Sequence, residues 1–341
     1  MGLPVRREPV FWWRREASLL AHLLTPVSLL YGAAAEARWR LVPAGRAACP
    51  VICIGNFTLG GGGKTPCAIA TAELLERAGA KPYLLTRGYG GKEAGPRLVN
   101  LDRDDAARVG DEALLLARTA PTVVARDRTA GAEFAVSKGA DAIVMDDGFQ
   151  NPSLAKDLSV IAMDAGVGAG NGLMLPAGPL RALLGLQLAR AGALVLIGKG
   201  DAGDPIASVL AAQGKPVFRA SYEPAESTDW LKQRPGVAFA GIARPAKFFE
   251  TLESLGVQIA ERIAFPDHHV FGEADAEDLL GLAKANDAQL MTTEKDWVRL
   301  AGAAGRLAEL REATRPLPIR LRFEDEGGYA RLIGSIAGRG A

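Results

Sequence analysis

Thr58-Leu59-Gly60-Gly61-Gly62-Gly63-Lys64-Thr65-Pro66 follows the apolar run Val51-Ile-Cys-Ile54 and precedes an Ala/Leu-rich segment with helical spacing. A glycine turn between a strand and a helix aims backbone N–H groups and the helix N-terminus at phosphate oxygens. At this spacing Lys64 reaches the β- and γ-phosphates and Thr65 offers its hydroxyl to Mg²⁺. The stretch departs from the strict P-loop pattern at Thr58, which stands where glycine is usual; Gly60 to Thr65 keeps the GGxGKT form. The reading is a nucleoside triphosphate site, ATP with Mg²⁺, with cofactor-binding residues Thr58, Leu59, Gly60, Gly61, Gly62, Gly63, Lys64 and Thr65. A flexible glycine loop that merely ends in Lys-Thr is the plainer alternative, and the flanking strand and helix argue against it.

Outward from that loop, short β-branched runs alternate with helical patterns. Strands are expected at 51–54, 82–86, 122–125, 142–146, 158–163, 193–197 and 216–220, with helices such as 65–79 and 129–138 between them. Such alternation predicts an α/β fold, a P-loop NTPase-like parallel sheet sandwiched by helices. Ligands then bind at the carboxyl ends of the strands. A polar, proline-bearing stretch, 221–236, predicts a domain junction. Beyond it a second, smaller α/β unit is expected, with strands near 237–240, 260–264, 288–292 and 317–321. The expected division is 1–45, an N-terminal helical segment; 46–225, the P-loop core; and 226–341, the smaller domain.

The 341 residues suffice for two domains and a substantial core. A net charge of +1 excludes a nucleic-acid partner held by bulk positive charge. Cys49, Cys53 and Cys67 match no common zinc spacing and read as reduced thiols of a cytosolic protein.

Residues 17–35 carry no formal charge, with Arg6, Arg7, Arg14 and Arg15 before them and Arg38, Arg40 and Arg46 after. A signal peptide conflicts with the need for cytosolic ATP. A spanning helix needs ~20 apolar residues and is weakened by Pro26, His22 and two serines. The favoured reading is an interfacial helix. Ser18, His22, Thr25, Gly32 and Glu36 share one stripe, while Leu20, Leu23, Leu24, Val27, Leu30 and Tyr31 lie opposite. Phe11, Trp12 and Trp13 beside arginines suit a headgroup boundary.

Chemistry-bearing residues cluster at the expected strand ends. Ala142-Ile-Val-Met-Asp146-Asp147 ends a hydrophobic strand in two carboxylates, suited to hold Mg²⁺ directly or through water. Val109-Gly-Asp111-Glu112 leads into a helix, and its acids read equally as helix N-terminal charges. Phe265-Pro-Asp-His268-His269 offers an imidazole to take a hydroxyl proton, although a lone His-His pair is more often surface decoration. Thr292-Thr-Glu-Lys295-Asp296 reads as a capped helix start or, by a weaker analogy, a loop holding a nucleotide base.

Taken together, the chain resembles the tetraacyldisaccharide 4′-kinases of lipid A biosynthesis. The resemblance rests on an ordered set over roughly residues 10–300. Its members are Gly55-Asn-Phe-Thr-Leu-Gly-Gly-Gly-Gly-Lys-Thr-Pro66, Thr86-Arg-Gly-Tyr-Gly-Gly91, Gly110-Asp-Glu112 and Asp146-Asp-Gly-Phe-Gln150, followed by Asn171-Gly-Leu-Met-Leu-Pro-Ala-Gly-Pro-Leu-Arg181, Gly241-Ile-Ala-Arg-Pro245, Phe265-Pro-Asp-His268 and Thr293-Glu-Lys-Asp296. It implies ATP-dependent phosphorylation of the 4′-hydroxyl of an acylated glucosamine disaccharide 1-phosphate. It also implies a monomer on the cytoplasmic face of the inner membrane, docked through the N-terminal helix. Carried over residue by residue, Lys64, Arg128, Asp111 and His268 are catalytic, the last two as a base dyad closed by domain movement. Thr65, Asp146 and Asp147 are the metal partners; Arg181, Tyr89 and Gln150 lie with the substrate. Asn151 and Ala182 depart from the histidine and glutamate usual in the family. A switch ATPase acting on a protein partner fits less well: Leu59 stands where that class usually has lysine. A soluble small-molecule kinase leaves the N-terminus without a purpose.

Overall fold

The computed structural model describes residues 9–14 and 16–338, so Arg6, Arg7 and Arg15 of the basic flank lie outside the described residues. The strands in chain order are β1 (Val51–Gly55), β2 (Pro82–Thr86), β3 (Arg97–Leu98), β4 (Thr122–Val124), β5 (Ala142–Asp146), β6 (Leu158–Asp164) and β7 (Ala193–Ile197). They continue with β8 (Val217–Pro224), β9 (Gly236–Ala240), β10 (Ile259–Ala264), β11 (Gln289–Thr293), β12 (Thr314–Leu317) and β13 (Ile319–Phe323). Nine form one sheet, ordered β13-β8-β7-β6-β1-β5-β2-β4-β3, and four form a second, β10-β9-β11-β12. The larger sheet is parallel except at its edges, where β13 runs against β8 and β3 against β4.

β1 is buried along its whole length, between β5 and β6. Its side chains alternate. Ile52 and Ile54 join the core beneath the helix Lys64–Arg77, while Val51 and Cys53 join the core on the opposite face. Burial on both faces makes such a strand a continuous apolar run. It also pins the glycine loop that follows it, which leaves the sheet where the strand ends of β5 and β6 flank it.

The stretch 221–236 begins inside β8 and continues through a turn and a short 3₁₀ segment, Asp229–Lys232. The small sheet β9–β12 has apolar clusters on both faces. The division expected at 225/226 needs one correction. After β12 the chain turns at Pro318 and crosses back, so that β13 and the helix Glu326–Ala337 belong to the large unit. Tyr329 of that helix is fully buried; its ring stacks on Phe323, 4.2 Å away, and its hydroxyl lies 2.7 Å from Thr71 Oγ1 on the Lys64–Arg77 helix. Alternation at Ile319, Leu321 and Phe323 announces a strand but not its partner. The expected strand 317–321 therefore merged the ends of two strands that lie in different sheets.

The N-terminal helix is Leu19–Leu41, capped by Ser18, whose hydroxyl accepts from Ala21 N–H. Its small and polar stripe faces the protein: Ala21, Ser28 and Gly32 are buried. Ser28 Oγ donates to Met174 O (2.9 Å) and accepts from Ala177 N–H (3.1 Å). Glu36 pairs with Arg190 at 2.7 Å, and that guanidinium lies over the Trp39 ring. His22 stays exposed. Leucines therefore cover the outward face: Leu19, Leu20, Leu23, Leu29 and Leu30 are all exposed.

Candidate active site

The glycine loop needs glycine where the chain turns into the helix. Gly63 sits at φ 81°, and a Cβ there would come within 2.5 Å of Ile197 Cδ1 and 2.7 Å of Tyr222 Oη. No side chain caps the Lys64–Arg77 helix, so its first N–H groups remain for a ligand. Asn56 Nδ2 donates to Gly60 O (3.1 Å), as does Lys64 Nζ (3.3 Å). Thr58 and Leu59 are shaped by the Leu175–Arg181 segment: Leu59 N–H donates to Pro179 O (2.8 Å) and Arg181 Nε to Thr58 O (3.0 Å). That pairing is the structural use of the Leu-Pro-Ala-Gly-Pro-Leu-Arg run.

The two carboxylates at the end of β5 have different surroundings. Asp147 (φ 49°) is gripped by Arg181, with contacts of 3.1 and 3.4 Å, and lies 3.9 Å from Lys64 Nζ. Burial works against its charge, but Lys64 and Arg181 hold its carboxyl below the ordinary value. Asp146 is 1% exposed. Its Oδ2 accepts from Thr65 Oγ1 at 3.0 Å, while its buried Oδ1 has no protein partner. Burial, and then the charges of Glu112 and Asp147, push its carboxyl up to about 7. A buried carboxylate oxygen without a donor, beside a threonine hydroxyl, fits a hard cation. No group of three His, Cys, Asp or Glu side chains among the described residues forms a cage. Phosphate oxygens and water would complete the coordination, as is usual for Mg²⁺.

Asp111 opens the helix Asp111–Ala117 and is almost wholly buried. Gly110 before it (φ 88°) lets the Arg87–Gly91 loop lie against it; a Cβ there would meet Tyr89 O at 2.4 Å. Across the cleft from the small unit comes His268 (φ 57°), its backbone N–H held by Gly241 O. His268 Nδ1 lies 3.1 Å from Asp111 Oδ2. Residues 157 positions apart thus meet in a carboxylate–imidazole pair. The Tyr89 ring, largely exposed, stands 5.5 Å from the imidazole.

Other expected site residues are placed differently. Arg128 is buried and hydrogen-bonds Ala125 O; its Nε has no partner. Burial lowers its guanidinium to about 10, with Asp146 and Asp147 opposing that shift, so its charge acts on the acidic pair. Gln150 gives its amide to Gln187 Oε1 (2.6 Å). Asn151 accepts from Ser153 N–H and Oγ, and Ala182 is buried, its carbonyl accepting from Gln187. Both departures therefore have structural partners. His269 stacks on Phe265 and bonds Asp275, away from Asp111. The thiols of Cys53 and Cys67 are pushed up to about 12 by burial.

Of two basic residues beside Asp111, Lys295 had in the sequence only the weak analogy to a base-holding loop, and Arg299 had no role. Lys295 and Arg299 rise from the helix Glu294–Arg299 against Asp111 and Glu112. Their four-residue spacing on a capped helix start was the available signal.

A glycine-loop phosphate site, an acidic pair beside the loop threonine, and an imidazole brought across a cleft define a P-loop phosphotransferase with two α/β units. The family described as LpxK, tetraacyldisaccharide-1-P 4′-kinase, matches residues 20–337, and the chain belongs to it. It is 51% identical over 320 residues to the tetraacyldisaccharide 4′-kinase of Methylorubrum extorquens, covering 94% of this chain and 95% of that one. It is 51% identical over 324 residues to that of Parvibaculum lavamentivorans, covering 94% of each. The fold matches LpxK from Aquifex aeolicus, crystallised in complex with ATP, with TM-score 0.73 and 27% identity, covering 93% of this chain and 99% of the other.

Proposed function

We propose that the chain transfers the γ-phosphoryl group of ATP to the 4′-hydroxyl of a tetraacylated glucosamine disaccharide 1-phosphate, giving the 4′-phosphorylated lipid A precursor, lipid IVA. The observation that carries the mechanism is the 3.1 Å contact between His268 Nδ1 and Asp111 Oδ2. Asp111 accepts the Nδ1 proton, which leaves Nε2 to take the proton of the attacking hydroxyl. The new O4′–P bond forms as the bond from the γ-phosphorus to ADP breaks, and the proton leaves on His268. Lys64 and the loop N–H groups hold the phosphate charge. Thr65 and Asp146 would hold Mg²⁺, with Asp147 turned toward Lys64 and Arg181; the ion would neutralise charge on the transferring phosphoryl group. Cleft closure keeps water from the γ-phosphate.

The enzyme works as a monomer docked on the cytoplasmic face of the inner membrane. Support for docking comes from the 23-residue helix Leu19–Leu41, whose most apolar 18-residue window is only 17% buried. At ~1.5 Å per residue it is long enough to span a bilayer. Its inward hydrogen bonds to the Met174–Ala177 loop favour a helix lying on the surface instead.

The test is purified protein with ATP, Mg²⁺ and the tetraacylated disaccharide 1-phosphate in detergent micelles. Phosphate transfer to the lipid is expected. Asp111→Ala and His268→Ala should each lower turnover by roughly 10²–10⁴-fold, the usual weight of a general base. Lipid left unphosphorylated overturns the function; parental rates in both variants overturn the dyad.

A further inference from the structure

The helix Glu294–Arg299, which no step above uses, sets two cations against the dyad. Arg299 is nearly buried, and every nitrogen of its guanidinium is engaged. Nε and Nη2 reach Asp111 Oδ2 at 2.8 and 2.6 Å. Nη1 donates to Gly241 O at 2.7 Å and to Asp296 Oδ1 at 2.6 Å. Gly241 O is also the carbonyl that accepts from His268 N–H, and Gly241 N–H donates to Asp296 Oδ2. One planar fork therefore refers both partners of the dyad to the same frame: Asp111 from the large unit, and the His268 backbone through Gly241 in the small one. Lys295 stands on the other side, 3.3 Å from Glu112 Oε1 and 3.5 Å from His268 Nε2.

We propose that Arg299 is a positioning residue, which assembles the general base by fixing Asp111 Oδ2 against His268 Nδ1 only when the two units are closed on each other. The proposal rests on the dyad reading above. Arg299 touches neither the reacting hydroxyl nor the phosphates in this account; it acts through Asp111. A guanidinium suits the task because its donors lie in one rigid plane, whereas a lysine offers a single point charge. The charges facing Asp111 are those of His268, Lys295 and Arg299, and together they hold its carboxyl well below the usual range against the effect of burial.

The test is a double-mutant cycle on the full-length protein in the micelle assay. Arg299→Met should lower kcat about 10²-fold, the scale for a catalytic group misplaced by about 1 Å, and leave KM for ATP near the parental value. Arg299→Lys should recover only part of the loss. On the Asp111→Ala background, Arg299→Met should cost nothing further. The chain has three histidines, so ¹⁵N-imidazole NMR can follow His268 directly. Loss of its single Nδ1-protonated tautomer in the folded Arg299 variants is expected. Should Arg299→Met fail to fold, Arg299→Lys carries the same cycle. Parental kcat in a folded Arg299 variant, or the full loss repeated on the Asp111→Ala background, overturns the proposal. Parental turnover in Asp111→Ala removes the dyad itself, a separate failure that shows in that variant alone and takes the positioning role with it.

Discussion

Replacing Leu23 and Leu30 by serine tests the outward face of the N-terminal helix. The two lie seven residues apart, hence on one face, and are 69% and 74% exposed. Neither holds the helix to the body, which is the work of Ala21, Ser28 and Gly32. Moving a leucine side chain fully from water to an apolar phase is worth ~2 kcal/mol. About two-thirds of each side chain is still in water, so each should contribute roughly 1.5 kcal/mol on entering a bilayer. The double variant then loses about 3 kcal/mol, or about 10²-fold in partition at 1.4 kcal/mol per tenfold. Co-sedimentation with anionic liposomes over a range of lipid concentrations measures this, and the melting temperature should stay at the parental value. Unchanged partitioning of a folded double variant would refute the argument, because the face with the greatest exposed apolar area would then play no part in docking.

Four further outcomes follow from the packing of the chain. Tyr329→Phe removes the hydroxyl that donates to Thr71, whose own proton goes to Cys67 O; a loss of about 1 kcal/mol in urea unfolding is expected. A chain ending at Pro318 should fail to fold its large unit, and a cooperative melt like the parent's would contradict the placement of β13. Ellman's reagent at pH 8 should find Cys53 and Cys67 unreactive in the native protein and all three cysteines reactive after unfolding; rapid native labelling of Cys67 would count against the packing of the Lys64–Arg77 helix on the sheet, and of Cys53 against the core on the opposite face of β1. Asp111 has a folded carboxyl held below its unfolded value, so its charge contributes stability above about pH 4, which is lost as the pH falls. The gap in melting temperature between parent and Asp111→Asn should therefore shrink on acidification, and a gap of equal size at pH 3 and pH 7 would exclude the ion-pair account.

Legibility differed from element to element for physical reasons. β1, β2, β5 and β7 were readable because strands buried on both faces must be apolar throughout, and their predicted limits fall within a residue of those observed. The donor half of the site was equally plain, since phosphate binding needs glycine, lysine and a hydroxyl at fixed local spacing. Asp146 and Asp147 could be named but not told apart: their difference lies in Arg181, Lys64 and Thr65, which arrive from other segments. Arg299 was missed because its partner is 188 residues away, and its spacing from Lys295 on a capped helix start marks a helix face without saying what that face meets.

The sequence by itself determined the α/β class, the phosphate loop, the acidic strand end and the family pattern, because each depends on short-range spacing. Only the tertiary structure decided that the last strand crosses back to the large sheet, that Ala21, Ser28 and Gly32 are the contacts that seat the first helix, and that Arg299 joins the expected His268–Asp111 pair. Those outcomes depend on which surfaces are buried against which, and burial is a property of the whole packed chain.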